Sequence, residues 1–168
     1  MELEFKKASK ADAGVIADLA DKIWRKYYID IISLEQIEYM LKKMYSIESL
    51  TQQMDNGQQF TIAYKKGLPA AYISTSSTDS KNYFLHKFYV DTDLQREGVG
   101  SRLFEHVLSG IRSAETIELT VNRQNYKAIN FYFKNGFKIK EVADFDIGDG
   151  YFMNDFIMIK QLKQGFNS

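Results

Sequence analysis

Apolar residues recur at helical spacing in the first third of the chain and at alternate positions in the next. After Leu-Glu-Phe-Lys-Lys-Ala at 3–8, which reads as an opening strand, Ile16, Leu19, Ile23 and Tyr27 fall three or four residues apart. That spacing puts them on one face of a helix, with Ser9 positioned to cap it. Ser33 followed by Gln36 forms a capping box for a second helix over 33–45, and a third is predicted over 46–54, stopped by Asn56-Gly57. From Phe60 the period changes to two. Phe60, Ile62 and Tyr64 alternate with small or polar residues, Lys66-Gly67 marks a turn, and the stretches 69–77 and 82–90 follow as strands of an antiparallel meander. A helix carrying Val99, Leu103, Val107 and Ile111 comes next, then a strand over 115–121 with Ile117, Leu119 and Val121 on one face. Asn125 caps and Gly136 stops a last helix, and strands over 137–145 and 151–160 close the chain around the loop 146–150. The predicted fold is α/β: a mixed, mostly antiparallel central sheet flanked by helices on both faces, in a single domain spanning 1–168.

Charge and composition narrow the chemistry. Twenty-two basic residues balance 22 acidic ones, which argues against a generally basic nucleic-acid binder. There is no cysteine, so disulfides, thiolate metal sites and cysteine nucleophiles are excluded. Two histidines, His86 and His106, are too few for a histidine-rich metal centre, and no metal is expected. The first residues lack an apolar signal core and no apolar run is long enough to span a bilayer, so a cytoplasmic protein without a membrane partner is expected.

The stretch Gln-Arg-Glu-Gly-Val-Gly at 95–100 stands where a strand gives way to a helix. Without side chains at Gly98 and Gly100, successive backbone N–H groups can turn toward one concavity. The helix behind them adds unpaired donors and a positive dipole end, and Arg96 and Arg102 add charge. Two readings are open: a cradle for a pyrophosphate, or a plain helix start with flexible glycines. A P-loop is excluded because no Gly-Lys-Ser/Thr follows, and a meander ahead of the turn fits a dinucleotide-binding fold poorly.

Two segments decide between them. FYVDTDLQREGVGSRLF (88–104) and VNRQNYKAINFYFKNGF (121–137) together resemble the signature segments of the GCN5-related N-acetyltransferase superfamily. The first matches its Q/R-x-x-G-x-G/A motif through Gln95, Gly98 and Gly100. The second matches its Asn…Ala…Phe-Tyr…Gly-Phe pattern through Asn125, Ala128, Phe131, Tyr132, Gly136 and Phe137. The resemblance covers roughly residues 2–160 and implies an acetyl-coenzyme A-dependent N-acetyltransferase, an acyltransferase. It implies that the amides of Gln95, Arg96, Glu97, Gly98, Val99, Gly100 and Ser101 bind pyrophosphate, with Arg96 in support. It further implies that Phe88, Tyr89 and Val90 run beside the pantetheine arm, and that Asn125, Lys127, Ala128 and Phe131 line the cofactor.

The same resemblance assigns chemistry. Tyr132 sits at the family's tyrosine position, and a phenol with an ordinary pKa near ~10 suits protonation of a leaving thiolate. Taken by itself, an aromatic on an amphipathic helix is a core residue. His86 shares a strand face with Phe84, Phe88 and Val90, at a position where relatives carry glutamate. There it is either a proton acceptor on the acceptor side or a half-exposed strand residue. His106 reads as surface. Trp24, Tyr27 and Tyr28 fall in the first helix and the loop after it, where relatives shape the acceptor pocket, and they read either as its wall or as core. Asp30, Glu35, Glu38, Asp144, Asp146, Asp149 and Asp155 add carboxylates, which with aromatics suit a cationic amine. The expected acceptor is a small primary amine, a polyamine among others. Peptide or protein amines, and a coenzyme-binding module without turnover, stand as alternatives. Edge strands of such sheets pair between subunits, which makes a homodimer an expectation too.

Overall fold

The computed structural model describes residues 2–162, so Met1 and residues 163–168 of the expected 1–168 domain lie outside the described residues. The described residues form a seven-stranded sheet in the order β1-β2-β3-β4-β5-β7-β6. They divide into two compact units, 2–76 with 87–112 and 77–86 with 113–162.

The first unit begins with β1 (Leu3–Lys7) and a 3-10 turn, Lys10–Asp12, leading into α1 (Ala13–Tyr27). Ser9 therefore starts the turn and not the helix itself: its N–H donates to Asp12 Oδ2 at 2.9 Å. The predicted face of α1 is buried through Ile16, Leu19 and Ile23, with Tyr27 half-buried at its end. In α2 (Leu34–Tyr45) the Ser33 hydroxyl accepts the Gln36 N–H at 3.1 Å, and in α3 (Ile47–Asp55) Ser46 does the same for Ser49 at 3.1 Å. β2 (Gln59–Lys65) pairs antiparallel with β1 and with β3 (Leu68–Ser77). Lys66 and Gly67 join β2 to β3 with φ of 51° and 78°, two left-handed residues in succession, as a tight hairpin turn demands. The unit closes with the second half of β4 (Asn82–Val90), a 3-10 segment Thr92–Glu97, and α4 (Val99–Ser109).

In two further places around α4 the structure differs from the sequence expectation. A six-residue 3-10 segment separates the strand from the glycine turn, so the turn does not follow the strand directly. And α4 ends before Ile111, because Gly110 and Ile111 donate to Val107 and Leu108 at 3.1 and 3.2 Å. Those i→i−3 bonds tighten the chain out of the helix.

In the second unit the first half of β4 runs parallel to β5 (Thr116–Asn122). A parallel pair needs a crossover, and the chain makes it through α4. After α5 (Tyr126–Lys134), β6 (Lys138–Gly148) and β7 (Tyr151–Gln161) form a hairpin whose second strand pairs antiparallel with β5. β7 thus lies between β5 and β6 in the sheet. The expected loop at 146–150 narrows to Asp149-Gly150, with φ of 52° and 78°. Gly136, φ 87°, ends α5 as expected: its N–H donates to Phe133 O at 3.1 Å and that of Phe137 to Tyr132 O at 3.0 Å. The mixed, mostly antiparallel sheet with flanking helices is the architecture expected from the pattern.

Candidate functional site

Strand β4 sorts its side chains by parity. Leu85 and Lys87 are buried, while Phe84, His86, Phe88 and Val90 are half-buried along the other face. Within the second unit the rings of Phe84 and His86 lie 4.8 Å apart. Within the first, Phe88 stacks on Phe104 of α4 at 5.9 Å.

The end of β4 is built to hold a helix start close by. Asp91 is buried: its N–H donates to Ala70 O at 2.8 Å, its Oδ1 accepts the Asp93 N–H at 3.1 Å, and its Oδ2 takes Lys22 at 2.6 Å. The Gln95 side-chain amide reaches back to Val90 O at 3.5 Å, and Glu97 pairs with Lys65. Gly98 then turns with φ 77°, in the left-handed region that glycine adopts without strain. Gly100 serves a different end. A Cβ there would stand 3.1 Å from Val90 Cγ2, so its bare backbone lets α4 close onto β4. The first i→i−4 bond of α4 runs from Arg102 N–H to Gly98 O at 3.1 Å. The N–H groups of Val99, Gly100 and Ser101 precede that ladder at the positive end of the helix, a donor set suited to an anion. Val99 is itself buried, whereas Arg96, Ser101 and Arg102 are exposed.

Behind β4 lies an aromatic cluster. Trp24, 1% exposed, packs on Tyr28 at 4.5 Å, Tyr89 at 5.5 Å and Tyr45 at 5.7 Å. The Tyr28 and Tyr89 hydroxyls lie 3.1 Å apart, and the Tyr72 hydroxyl donates to that of Tyr45 at 2.8 Å. Burial pushes the Tyr45 and Tyr72 phenols well above their ordinary pKa, and that of the half-buried Tyr27 upward. Lys87 enters the same core, 4% exposed, donating to Gln53 Oε1 at 2.6 Å and Gln58 Oε1 at 3.2 Å. Its ammonium sits 5.4 Å from the Phe60 ring centre and 5.8 Å from that of Tyr45. Desolvation lowers its pKa to about 8.

In the second unit Asn125 is buried and caps α5, its Oδ1 accepting the Ala128 N–H at 3.2 Å. Tyr132 is buried with its ring edge-on to Phe131 and Phe137, at 5.6 and 5.3 Å. Phe131 and Ala128 are half-buried, and Lys127 is exposed. On β7, Asp155 is 1% exposed, and burial raises its carboxyl to about 6.

The structure thus brings Phe88, Val90 and the glycine turn together in one unit, and Asn125, Ala128, Phe131 and Tyr132 onto one helix in the other. Trp24 and Tyr28 are buried in the aromatic cluster. His106 is exposed, as expected, and stacks on Phe5 at 4.5 Å. Asp91 and Lys87 escaped sequence reasoning. The signal for Lys87 was present, since strand parity pairs it with Leu85 and Tyr89 on the buried side. Among the described residues no group of three or more His, Asp or Glu could hold a metal ion.

Residues 29–146 match the family model described as an acetyltransferase (GNAT) domain, and the chain belongs to that family. It is an N-acetyltransferase. A spermidine N(1)-acetyltransferase of Thermoplasma acidophilum is 27% identical over 96% of this chain and 98% of its own. A crystal structure of the PaiA N-acetyltransferase from Thermoplasma acidophilum in complex with coenzyme A superposes with a TM-score of 0.80. It is 26% identical and covers 96% of this chain and 99% of the other. A peptidyl-lysine N-acetyltransferase, YjaB of Escherichia coli, is 40% identical over 58 residues, 34% of this chain and 37% of the relative.

Proposed function

We propose that the protein transfers an acetyl group from acetyl-coenzyme A directly to a small cationic primary amine, of the polyamine class. The observation that carries the cofactor half is the start of α4: a left-handed Gly98, three N–H donors ahead of the helical ladder, and Gly100 pressed onto Val90. The residues fit the group. Gln95 through Ser101 hold the pyrophosphate through backbone amides, with Arg96 adding charge. Phe88, Tyr89 and Val90 line the pantetheine arm, Asn125 bonds it or its neighbouring backbone, Ala128 and Phe131 pack beside the cofactor, and the exposed Lys127 reaches the 3′-phosphate. The acceptor half rests on the match to a spermidine acetyltransferase over nearly the whole of both chains.

Bound there, acetyl-coenzyme A supplies an acetyl group activated as a thioester. His86 accepts the proton that the acceptor ammonium must lose before its nitrogen can attack. A backbone N–H near Val90 donates to the negative charge that develops on the carbonyl oxygen. The Tyr132 hydroxyl protonates the departing sulfur and regains its proton from solvent. No side-chain nucleophile is needed, in keeping with a chain that has no cysteine. Tyr27, half-buried at the end of α1, faces the acceptor, with the buried Tyr28 and Trp24 acting through their packing on Tyr89.

The test is release of coenzyme A thiol across spermidine, spermine, short diamines, aminoglycosides and lysine peptides, with coenzyme binding followed by calorimetry. Turnover on diamines or polyamines is the expected result, and Tyr132→Phe lowers kcat about 10²-fold or more with coenzyme affinity kept. Turnover confined to lysine peptides replaces the acceptor class. Tight coenzyme binding with no turnover on any amine makes the protein a coenzyme-binding module.

A further inference from the structure

We propose that Asp155 is the recognition point for a nitrogen of the acceptor that stays protonated throughout the reaction, so that the protein selects diamines and polyamines over monoamines. The inference rests on the acetyltransferase reading above and adds to it the residue that reads acceptor charge. Asp155 lies on β7, opposite Asn122 of β5 and Ala143 of β6. Its side chain is almost fully buried, and its Oδ1 has no hydrogen-bond partner in the structure.

The groups around it leave that oxygen waiting. The Thr120 side chain hydrogen-bonds the carboxyl, and Arg123 and Asp144 act on it through charge alone, with opposite signs. Arg123 directs its Nη2–H to Asp144 Oδ1 at 2.8 Å, so the guanidinium is engaged elsewhere. At neutral pH, above the value of about 6 to which burial raises it, Asp155 is an anion with one oxygen lacking a donor. A buried carboxylate in that condition is costly, and an ammonium is the group that completes it in both charge and hydrogen bonding.

The rest of the acidic set behaves otherwise. Asp30, Glu35, Glu38, Asp144, Asp146 and Asp149 are exposed, and Glu38 and Asp144 are already paired with Arg25 and Arg123. Only Asp155 combines burial with a missing partner. The reacting nitrogen must be neutral when it attacks, so it cannot serve as the lasting counter-charge of a buried carboxylate. A second, permanently protonated nitrogen can.

The experiment compares 1,4-diaminobutane with 4-amino-1-butanol, in which a hydroxyl replaces the second ammonium, on the wild-type protein and on Asp155→Asn. The wild type is expected to show a KM for the amino alcohol at least ~10-fold above that for the diamine. In Asp155→Asn that gap closes because the KM for the diamine rises, with a smaller change in kcat. The variant is also expected to melt about 2–4 °C higher at pH 7.5, since it removes a buried charge that only the acceptor satisfies. A purely structural Asp155 would give the reverse: a lower melting temperature and no change in the gap. Equal wild-type KM values for the two amines overturn the assignment even if the variant fails to fold. Turnover that ignores Asp155→Asn overturns it alone, whereas coenzyme binding without turnover on any amine overturns the acceptor reading and this assignment with it.

Discussion

Lys87 illustrates how a single side chain can be placed by its strand against its own solvation. Between the half-buried His86 and Phe88 it faces the core, held by two glutamine oxygens and two aromatic rings in place of a carboxylate. Its pKa falls to about 8 in the folded protein from an ordinary 10.5, so between those values the unfolded chain binds more protons. Stability contributed at this position is therefore highest above pH 10.5 and is lost as pH falls toward 8, a difference of about 3 kcal/mol. Lys87→Met removes that cost, and the Gln53 oxygen left without its donor offsets part of the gain. The variant is expected to melt about 2–4 °C above wild type at pH 7. Its melting temperature should also lack the wild-type rise between pH 8 and 10.5, as calorimetry across that range would read. The alternating pattern of 82–90 carried this placement, but a lysine among apolar neighbours reads as a polar position until the partner surfaces are known.

At the scale of elements, capping chemistry carried the prediction. Ser33 and Asn125 each accept the N–H expected of an N-cap, at 3.1 and 3.2 Å, and Ser46, which the sequence pattern did not mark as a cap, accepts that of Ser49 at 3.1 Å. Ser46 ends α2 and begins α3, so it holds the angle between two helices as well as one orphan donor. Ser46→Ala is expected to cost about 1 kcal/mol, read as a lower denaturant midpoint with an unchanged slope. Ser46→Asp, which keeps the acceptor, should restore most of it. Where local signals were weaker the boundaries moved. Thr92–Glu97 forms a 3-10 segment because Asp91, buried and tied to Ala70 and Lys22, accepts the Asp93 N–H and the Leu94 N–H, the latter at 2.8 Å. Nothing in the bare stretch Asp-Thr-Asp announces that its first aspartate is buried.

For the whole molecule, a bound cofactor should appear as stability. Coenzyme A at about 100 times its Kd adds about 2.7 kcal/mol, which raises the melting temperature by about 5–10 °C. Gly98→Glu is expected to abolish that shift, since its carboxylate stands where the helix start would meet phosphate. Gly98→Asn should keep it, because asparagine tolerates the left-handed conformation of φ 77°. A full shift in the glutamate variant would remove the glycine turn from the cofactor site.

Read from the amino acids alone, the helical and alternating periods, the serine and asparagine caps, and the two motif segments determined the α/β class and the acetyltransferase family. These are local properties, written in side chains three or four residues apart or at alternate positions. Only the tertiary structure decided that β7 inserts between β5 and β6, and that the two motif glycines do different work. It also decided that one aspartate among seven candidate carboxylates is buried with an oxygen unanswered. Each of those depends on which distant strand or helix covers a residue, and burial, unlike periodicity, is a property of neighbours far away in the chain.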